Sequence, residues 1–466
     1  MRHFPFRFVA GVGSLLSLVS VTLLASAALP ASTASAATVH VMNCQDSGVG
    51  SLRGSVATAL SGDTIDLTHL QCGRIVLTSG QIVIAQHDLT LIGPGRSRLA
   101  LDGNHASRVL MFAGGDEVPG TLVVKRMSIA NGHFVLAPGE DGLPAGGCIL
   151  SNGNLELDRV DVHDCVVEPY ATGGTTAGGG GVFASFHLRL IHSNLFSNVA
   201  LNGDGGGAAA DNLVAFRSRI HDNSANSGGG VTGGEVSLSY STVDNNSSQR
   251  EGGGIFSQGP LVINKSTVSN NQTSADPSGG IGGGAWGGDV HVYDSTFSGN
   301  AAYSASAIEA WSLVEIANST IVFNHQTQLG PTSGGAVVVH DFELLAKHTN
   351  ATAVTAVYTI NSSIVARNLS NEMPGNDIGP DYGYVDGANN IIERANIPLP
   401  ADTMSVNPLL APLTNNGGPT KTHALRYGSP AIDRGNNSRN RRYDQRGPGF
   451  LRVKGAAPDI GAFEHG

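Results

Sequence analysis

The stretch Leu188-Arg189-Leu190-Ile191-His192-Ser193-Asn194-Leu195-Phe196-Ser197-Asn198 decides the fold, because its pattern returns six more times down the chain. Aligned on Ser193, it recurs at Ser218, Ser241, Ser266, Ser295, Ser319 and Ser363. An asparagine follows five residues later each time: Asn198, Asn223, Asn246, Asn271, Asn300, Asn324 and Asn368. Apolar residues stand two after each serine, from Leu195 and Ile220 to Val365. Others stand three before it, from Leu190 to Ile360, and five before it, from Leu188 to Tyr358. The serines lie 25, 23, 25, 29, 24 and 44 residues apart. Self-similarity at such a period means a solenoid.

Apolar positions at minus five, minus three and plus two alternate as strands do, with a bend between, and lack the 3.6-residue helical spacing. A repeat of this length built from short strands is one coil of a parallel β-helix. Equivalent residues of neighbouring coils then stack about 4.8 Å apart, so the asparagines are expected to form an amide ladder. The serine is small enough for a tight corner. Glycine runs such as Gly179–Gly181, Gly205–Gly207 and Gly228–Gly230 allow close backbone approach. Weaker coils follow the same grammar around Met127 and Val160. The expected architecture is all-β: a single-stranded right-handed parallel β-helix with a short N-terminal helical cap and an irregular C-terminal cap.

A one-dimensional stack absorbs all 466 residues as one body. Charged residues are only 14% and the net charge is −10, which argues against nucleic acid or an anionic membrane as the main partner. Residues 1–36 read as a signal peptide: Arg2 and Arg7, an apolar run from Val9 to Ala28, then Ala34-Ser35-Ala36 as a cleavage site. No second stretch of that kind follows, so the mature chain is expected to lack a membrane span. Export makes disulfides of the four cysteines. The preferred pairing is Cys44 with Cys72 and Cys148 with Cys165. Cys165 occupies the asparagine column of its coil, and the chain from Cys148 goes nearly once round the helix.

Residues 37–74 are expected to form the N-terminal cap. Within it, a short helix over Ser51 to Leu60 buries Leu52, Val56, Ala59 and Leu60. Residues 75–373 make the solenoid, with loops at Pro138 to Pro144 and Thr172 to Ala177. The 44-residue step hides an insertion, roughly 337–356, read as an extra hairpin on one flank. Residues 374–406 read as irregular final coils and connector, and 407–466 as a Gly- and Pro-rich segment closing the end.

That last segment carries Asn407-Pro408-Leu409-Leu410, Asn416-Gly417-Gly418-Pro419-Thr420, Gly428-Ser429-Pro430-Ala431-Ile432-Asp433, Asp444-Gln445-Arg446-Gly447 and Asp459-Ile460-Gly461-Ala462-Phe463-Glu464 in order. The set resembles the bacterial choice-of-anchor Q domain, found at the end of exported right-handed parallel β-helix proteins. The front end, with Asn43-Cys44, Gly50-Ser51-Leu52-Arg53 and Gly62-Asp63-Thr64-Ile65, is similar too. Several coils also resemble the repeats of chlamydial polymorphic outer-membrane proteins, as in Gly283-Gly284-Ala285 and Phe297 to Asn300. The resemblance implies fold and export rather than activity. No sorting signal or barrel follows Glu464, so release or non-covalent retention is the expectation.

Polysaccharide-cleaving chemistry on such a fold needs paired aspartates, or calcium carboxylates beside a basic residue. The chain has no Asp-Asp pair, no Gly-His-Gly, no Arg-Ile-Lys and no Arg-x-Pro-x-x-Arg. Register brings His221, Asp222 and Asp244 onto adjacent coils, the only catalytic candidates. The column before the serine, with His192, Arg217, Tyr240, Lys265 and Asp294, reads as an exposed strand face able to bind sugar. In the terminal segment His423, Asp433, Asp444, Arg446, Asp459 and Glu464 read as a capping network of charge-assisted hydrogen bonds. No cofactor or metal is expected. The expected protein is exported to the cell surface, periplasm or exterior and recognises glycans or cell surfaces. The alternatives are a polysaccharide lyase or hydrolase of pectin-lyase-like fold, and a structural envelope component.

Overall fold

The computed structural model describes residues 36–114, 118–136, 144–169, 178–275, 280–327, 335–339, 357–371, 373–379 and 383–466. The expected signal peptide as far as Ser35, nearly all of both expected loops and residues 340–356 of the expected insertion lie outside them.

One coil shows why these residues wind. Ala208–Phe216 is a strand of the first sheet, Arg219–His221 of the second and Ser224–Ala225 of the third. The next coil repeats this with Val231–Ser239, Thr242–Asp244 and Ser247–Ser248, each paired in parallel with its predecessor. Among the described residues the three sheets hold 19, 12 and 10 strands. Every connection between parallel neighbours is one turn of the coil, and such crossovers are right-handed. The chain is therefore a right-handed parallel β-helix. Alternate residues point inward: Leu213, Ala215, Val236, Leu238, Leu261, Ile263, Val290 and Val292 line one wall, and Ile220, Val243, Val268 and Phe297 another, all at most 1% exposed. Each large one contributes roughly 1.5–3 kcal/mol of burial.

The corners explain the serine and asparagine columns. The residue before each serine is left-handed: His192, Arg217, Tyr240, Lys265, Asp294, Asn318 and Ser362 have φ of 46–51°. So is the residue before most of the asparagines, including Ser197, Asp222, Asn245, Asn270, Phe323 and Arg367, at 54–60°. That conformation costs a non-glycine residue roughly 1–2 kcal/mol. Side chains of the next coil hold it. Ser218 N donates to Ser241 Oγ (3.1 Å), and Asn223 donates from both N and Nδ2 to Asn246 Oδ1. Asn223 Nδ2 also donates to Leu195 O, while its Oδ1 accepts from Asn198, so the amide is fully satisfied. The ladder runs from Cys165 N, which donates to Asn198 Oδ1, to Asn368, whose Nδ2 donates to Asp377 Oδ1 at 2.7 Å. At the third corner a Cβ on Gly206 would stand 2.3 Å from Gly229 O, so only glycine lets these coils touch.

Winding extends beyond the expected limits of 75–373. Thr38–His40 already pairs with Thr64–Asp66, inside the segment read as a cap. The helix is Leu52–Thr58, N-capped by Ser51 Oγ accepting from Gly54 N. Leu52, Val56 and Ala59 are buried, but Leu60 is 63% exposed because the helix has ended. Val337–Val339, read as part of a flanking hairpin, is a strand of the first sheet between Ile308–Ala317 and Ile378–Gly379. Residues 374–406 are not irregular throughout, since Tyr384–Asp386 and Ile391–Ile392 continue the first and second sheets. Ala395, Ile397 and Leu399 pack on the last inward residues.

The terminal segment does not close that end. It runs back along the outer side of the second sheet. Ala462 N donates to Thr320 Oγ1, Thr296 Oγ1 to Gln445 Oε1, Thr267 Oγ1 to Lys421 O, and Lys265 Nζ to Tyr443 O and Asp444 O. Ile460 and Phe463, with half-buried Ile432, pack on outward Val322, Ile364 and Ile391. The strap is held internally by Arg446–Asp444 at 2.6 Å, Asp433 N to Asp459 Oδ1, and Asp459 N to Glu464 Oε2. His423 bridges Ala411 O and Ser298 Oγ, and burial lowers its pKa.

Candidate functional site

The strap divides the column of His192, Arg217, Tyr240, Lys265 and Asp294. These are corner residues rather than a strand face, and Lys265 and Asp294 are buried beneath the strap, paired at 3.5 Å with Arg441 at 3.2 Å from Asp294. Burial lowers the Lys265 pKa and raises that of Asp294. Neither reaches a ligand. His192 and Arg217 lie beyond the strap, and Tyr240 lies at its edge, where a Cβ on Gly447 would stand 2.9 Å from the tyrosine ring. All three surround Phe216: His192 and Tyr240 meet its ring edge-on, and Arg217 lies 5.5 Å from its centre.

On the uncovered part of the second sheet, His163, Phe196 and His221 stack face to face at 4.7 and 5.1 Å, because parallel register puts them in one column. His221 Nδ1 lies 2.5 Å from Asp222 Oδ2, but Asp244 does not join them. Its two oxygens accept from Arg219 at 2.9 and 2.6 Å. His163 Nε2 lies 2.9 Å from Ser128 Oγ and its Nδ1 2.6 Å from Asp164 Oδ2. This Ser-His-Asp order lacks the surroundings of a nucleophile. Ser128 is 5% exposed at the start of the strand Ser128–Ala130, and its N–H donates to Leu99 O within the ladder instead of facing an oxyanion.

The outward face of the first sheet carries two groups that the repeat pattern concealed, because outward positions vary from coil to coil. Phe256 and Trp286, register partners, stack at 4.8 Å, and Trp311 meets Trp286 at 6.2 Å. At the other end of the same strand, Tyr293 Oη donates to Glu315 Oε2 at 2.6 Å, His291 Nδ1 lies 3.1 Å from that oxygen, and Arg439 of the strap pairs with Oε1 at 2.6 Å. Arg439 also lies 3.7 Å over the Tyr293 ring. Burial, then the bond to Glu315, pushes the Tyr293 pKa up to about 12. Burial alone would raise Glu315, but Tyr293, His291 and Arg439 together hold it below the usual range. Such a set presents fixed donors and acceptors, with the Tyr293 hydroxyl kept protonated and the Glu315 carboxylate kept ionised near neutrality.

The four cysteines form two disulfides, Cys44–Cys72 and Cys148–Cys165, with Cα separations of 6.3 and 5.5 Å. Among the described residues no helix is long and apolar enough to cross a membrane. No protein-family model and no curated protein matches the chain. A solved structure, described as the crystal structure of pectate lyase Pel9A, is similar at a TM-score of 0.44 and 14% identity, over 92% of this chain and 98% of that one.

Proposed function

We propose that this is an exported β-helix protein that binds polysaccharide across its first sheet. The observation that carries the reading is the pairing of Phe256, Trp286 and Trp311 with the Tyr293–His291–Glu315–Arg439 set. Aromatic rings receive the apolar faces of sugars, and fixed polar groups receive their hydroxyls. The two groups lie on one strand, Ala285–Tyr293, roughly 20 Å apart along it, a span suited to a chain of sugars. Export is supported by the two disulfides. It is also supported by Asp63, whose Oδ1 accepts from Ala37 N at 2.7 Å and Oδ2 from Leu60 N. Cleavage after Ala36 turns that first bond into an ion pair with the new terminus. Resemblance of the terminal motifs to the choice-of-anchor Q domain supports a place in the cell envelope.

A glycan-array screen run beside a polysaccharide depolymerisation panel tests this. Binding without cleavage is expected, weakened in Trp286→Ala and Arg439→Ala while the melting midpoint holds. Array silence across plant, bacterial and host glycans would sink it. One observation favours a hydrolase as the second reading. Burial, then nearby Glu251, holds the Asp204 carboxyl above its usual range, and Ser227 lies between the two carboxyls. Two carboxyl groups joined through one serine are the kind of pair glycoside hydrolysis uses. Release of oligosaccharides that stops in Asp204→Asn would establish that reading.

A further inference from the structure

We propose that His40, Asp66 and His69 bind a late first-row divalent metal ion, zinc by preference. Their donor atoms lie within 4.8 Å of one another. Asp66 Oδ2 is the hub, 3.1 Å from His40 Nδ1 and 4.0 Å from His69 Nε2. With bonds of about 2.0–2.1 Å, the ligands of tetrahedral zinc stand roughly 3.3 Å apart. The first distance already fits. The second closes by a small rotation of His69, whose side chain is 81% exposed and free to turn.

The fold fixes everything except that rotation. His40 and Asp66 are cross-strand partners in the first parallel pair of the solenoid. Val41 N donates to Asp66 O at 2.9 Å and extends the pairing. Thr68 N donates to Asp66 Oδ1 at 2.8 Å, which orients the carboxylate and leaves Oδ2 for the metal. The Cys44–Cys72 disulfide then ties the two segments together four residues past His40 and three past His69.

Two imidazoles and one carboxylate select the metal. Calcium takes six to eight oxygen ligands and magnesium prefers an oxygen octahedron, whereas imidazole suits zinc and its neighbours. Three protein ligands leave a fourth position, and with His40 54% and His69 81% exposed that position faces solvent. An open site of this kind holds water or a donor from another molecule, as catalytic rather than structural zinc sites do. The site lies on the first winding of the solenoid, so the metal would join its edge strand, Thr38–His40, to the strand beneath.

Chelator-stripped protein titrated with zinc in a calorimeter, and with cobalt while the visible spectrum is followed, tests the site. One metal per chain is expected, with a cobalt band for nitrogen–oxygen coordination. His69→Ala and Asp66→Asn should each weaken binding by about tenfold or more. His105→Ala, an exposed histidine elsewhere, should leave it unchanged. Absence of zinc binding, equal binding by His69→Ala, or displacement of zinc by equimolar calcium would each overturn the proposal. If Asp66→Asn lowers the melting midpoint, His69→Ala decides alone, since its exposed side chain contributes little to folding.

Discussion

The second sheet presents the same outward columns along its length, yet its two halves differ in fate. From Thr267 to Thr320 those columns are small and hydroxylic, with Thr267, Ser269, Thr296, Ser298 and Thr320, then apolar, with Val322, Ile364 and Ile391, and the strap lies on both. Before Thr242 they are larger: His163, Phe196 and His221 stack, Asp161 pairs with Arg96, and Arg219 pairs with Asp244 of the next coil. Small hydroxyls let a backbone approach and offer it hydrogen bonds. Bulky rings and ion pairs hold it off. One fold thus makes a glued surface and an open one by changing only residues that do not affect winding.

Removing residues 407–466 should have the largest effect. It uncovers Val322, Ile364 and Ile391 and strips Arg441 from buried Asp294. Light scattering after size exclusion should show aggregation, arising from the side of the solenoid rather than its end. A monomeric truncation with an unchanged melting midpoint would mean the two halves are equivalent.

Next come single residues of one column taken from either half. Lys265→Ala leaves Asp294 buried beside fewer cations and should cost about 3–5 kcal/mol in denaturant unfolding. Arg217→Ala, in the open half, should cost within about 0.5 kcal/mol. Similar values for both would erase the distinction.

The interior ladder should ignore it. Asn300→Ala and Asn198→Ala remove equivalent amides, the first beside the covered strands and the second beside the open ones, and each should cost about 1–3 kcal/mol. A large difference between them would show the strap acting through the wall.

The smallest effect is in pH. Burial pushes Glu464, within the strap, up to about 7 from 4.5, and Asp377, at the end of the ladder, up to about 7 from 3.8. Both hold protons that the unfolded chain releases, so their stabilisation is full below the unfolded pKa and is lost as pH rises through about 7. Asp46 works in the opposite sense. Burial alone would raise it, but bonds from Arg53, Thr78 and Ser79 hold it far below 3.8, and its stabilisation is lost in acid. The melting midpoint should peak at about pH 4–5 and fall toward pH 8. Glu464→Gln should flatten that fall, and an unchanged slope would show that the strap titrates as the open half does.

The columns around Ser193 and Asn198 are legible because each coil must satisfy the same corner with the same atoms, so the demand is written again every 23 to 29 residues over most of the stack. Outward residues answer to no such repeat. Trp286, Tyr293 and Glu315 therefore left no pattern in the sequence, and the column of Lys265 and Asp294 read as open when it is covered. His40 and His69 were equally silent, since no fixed spacing links two residues that meet through strand pairing.

By itself the sequence determined the winding, the coil length, and which side chains face inward, because neighbouring coils interact through local, repeated contacts. Only the tertiary structure decided which outer surfaces remain free. The strap's partners include residues 124 and 179 positions away, as in Arg439 with Glu315 and Lys265 with Asp444, and contacts at such separations depend on how many coils have stacked between them.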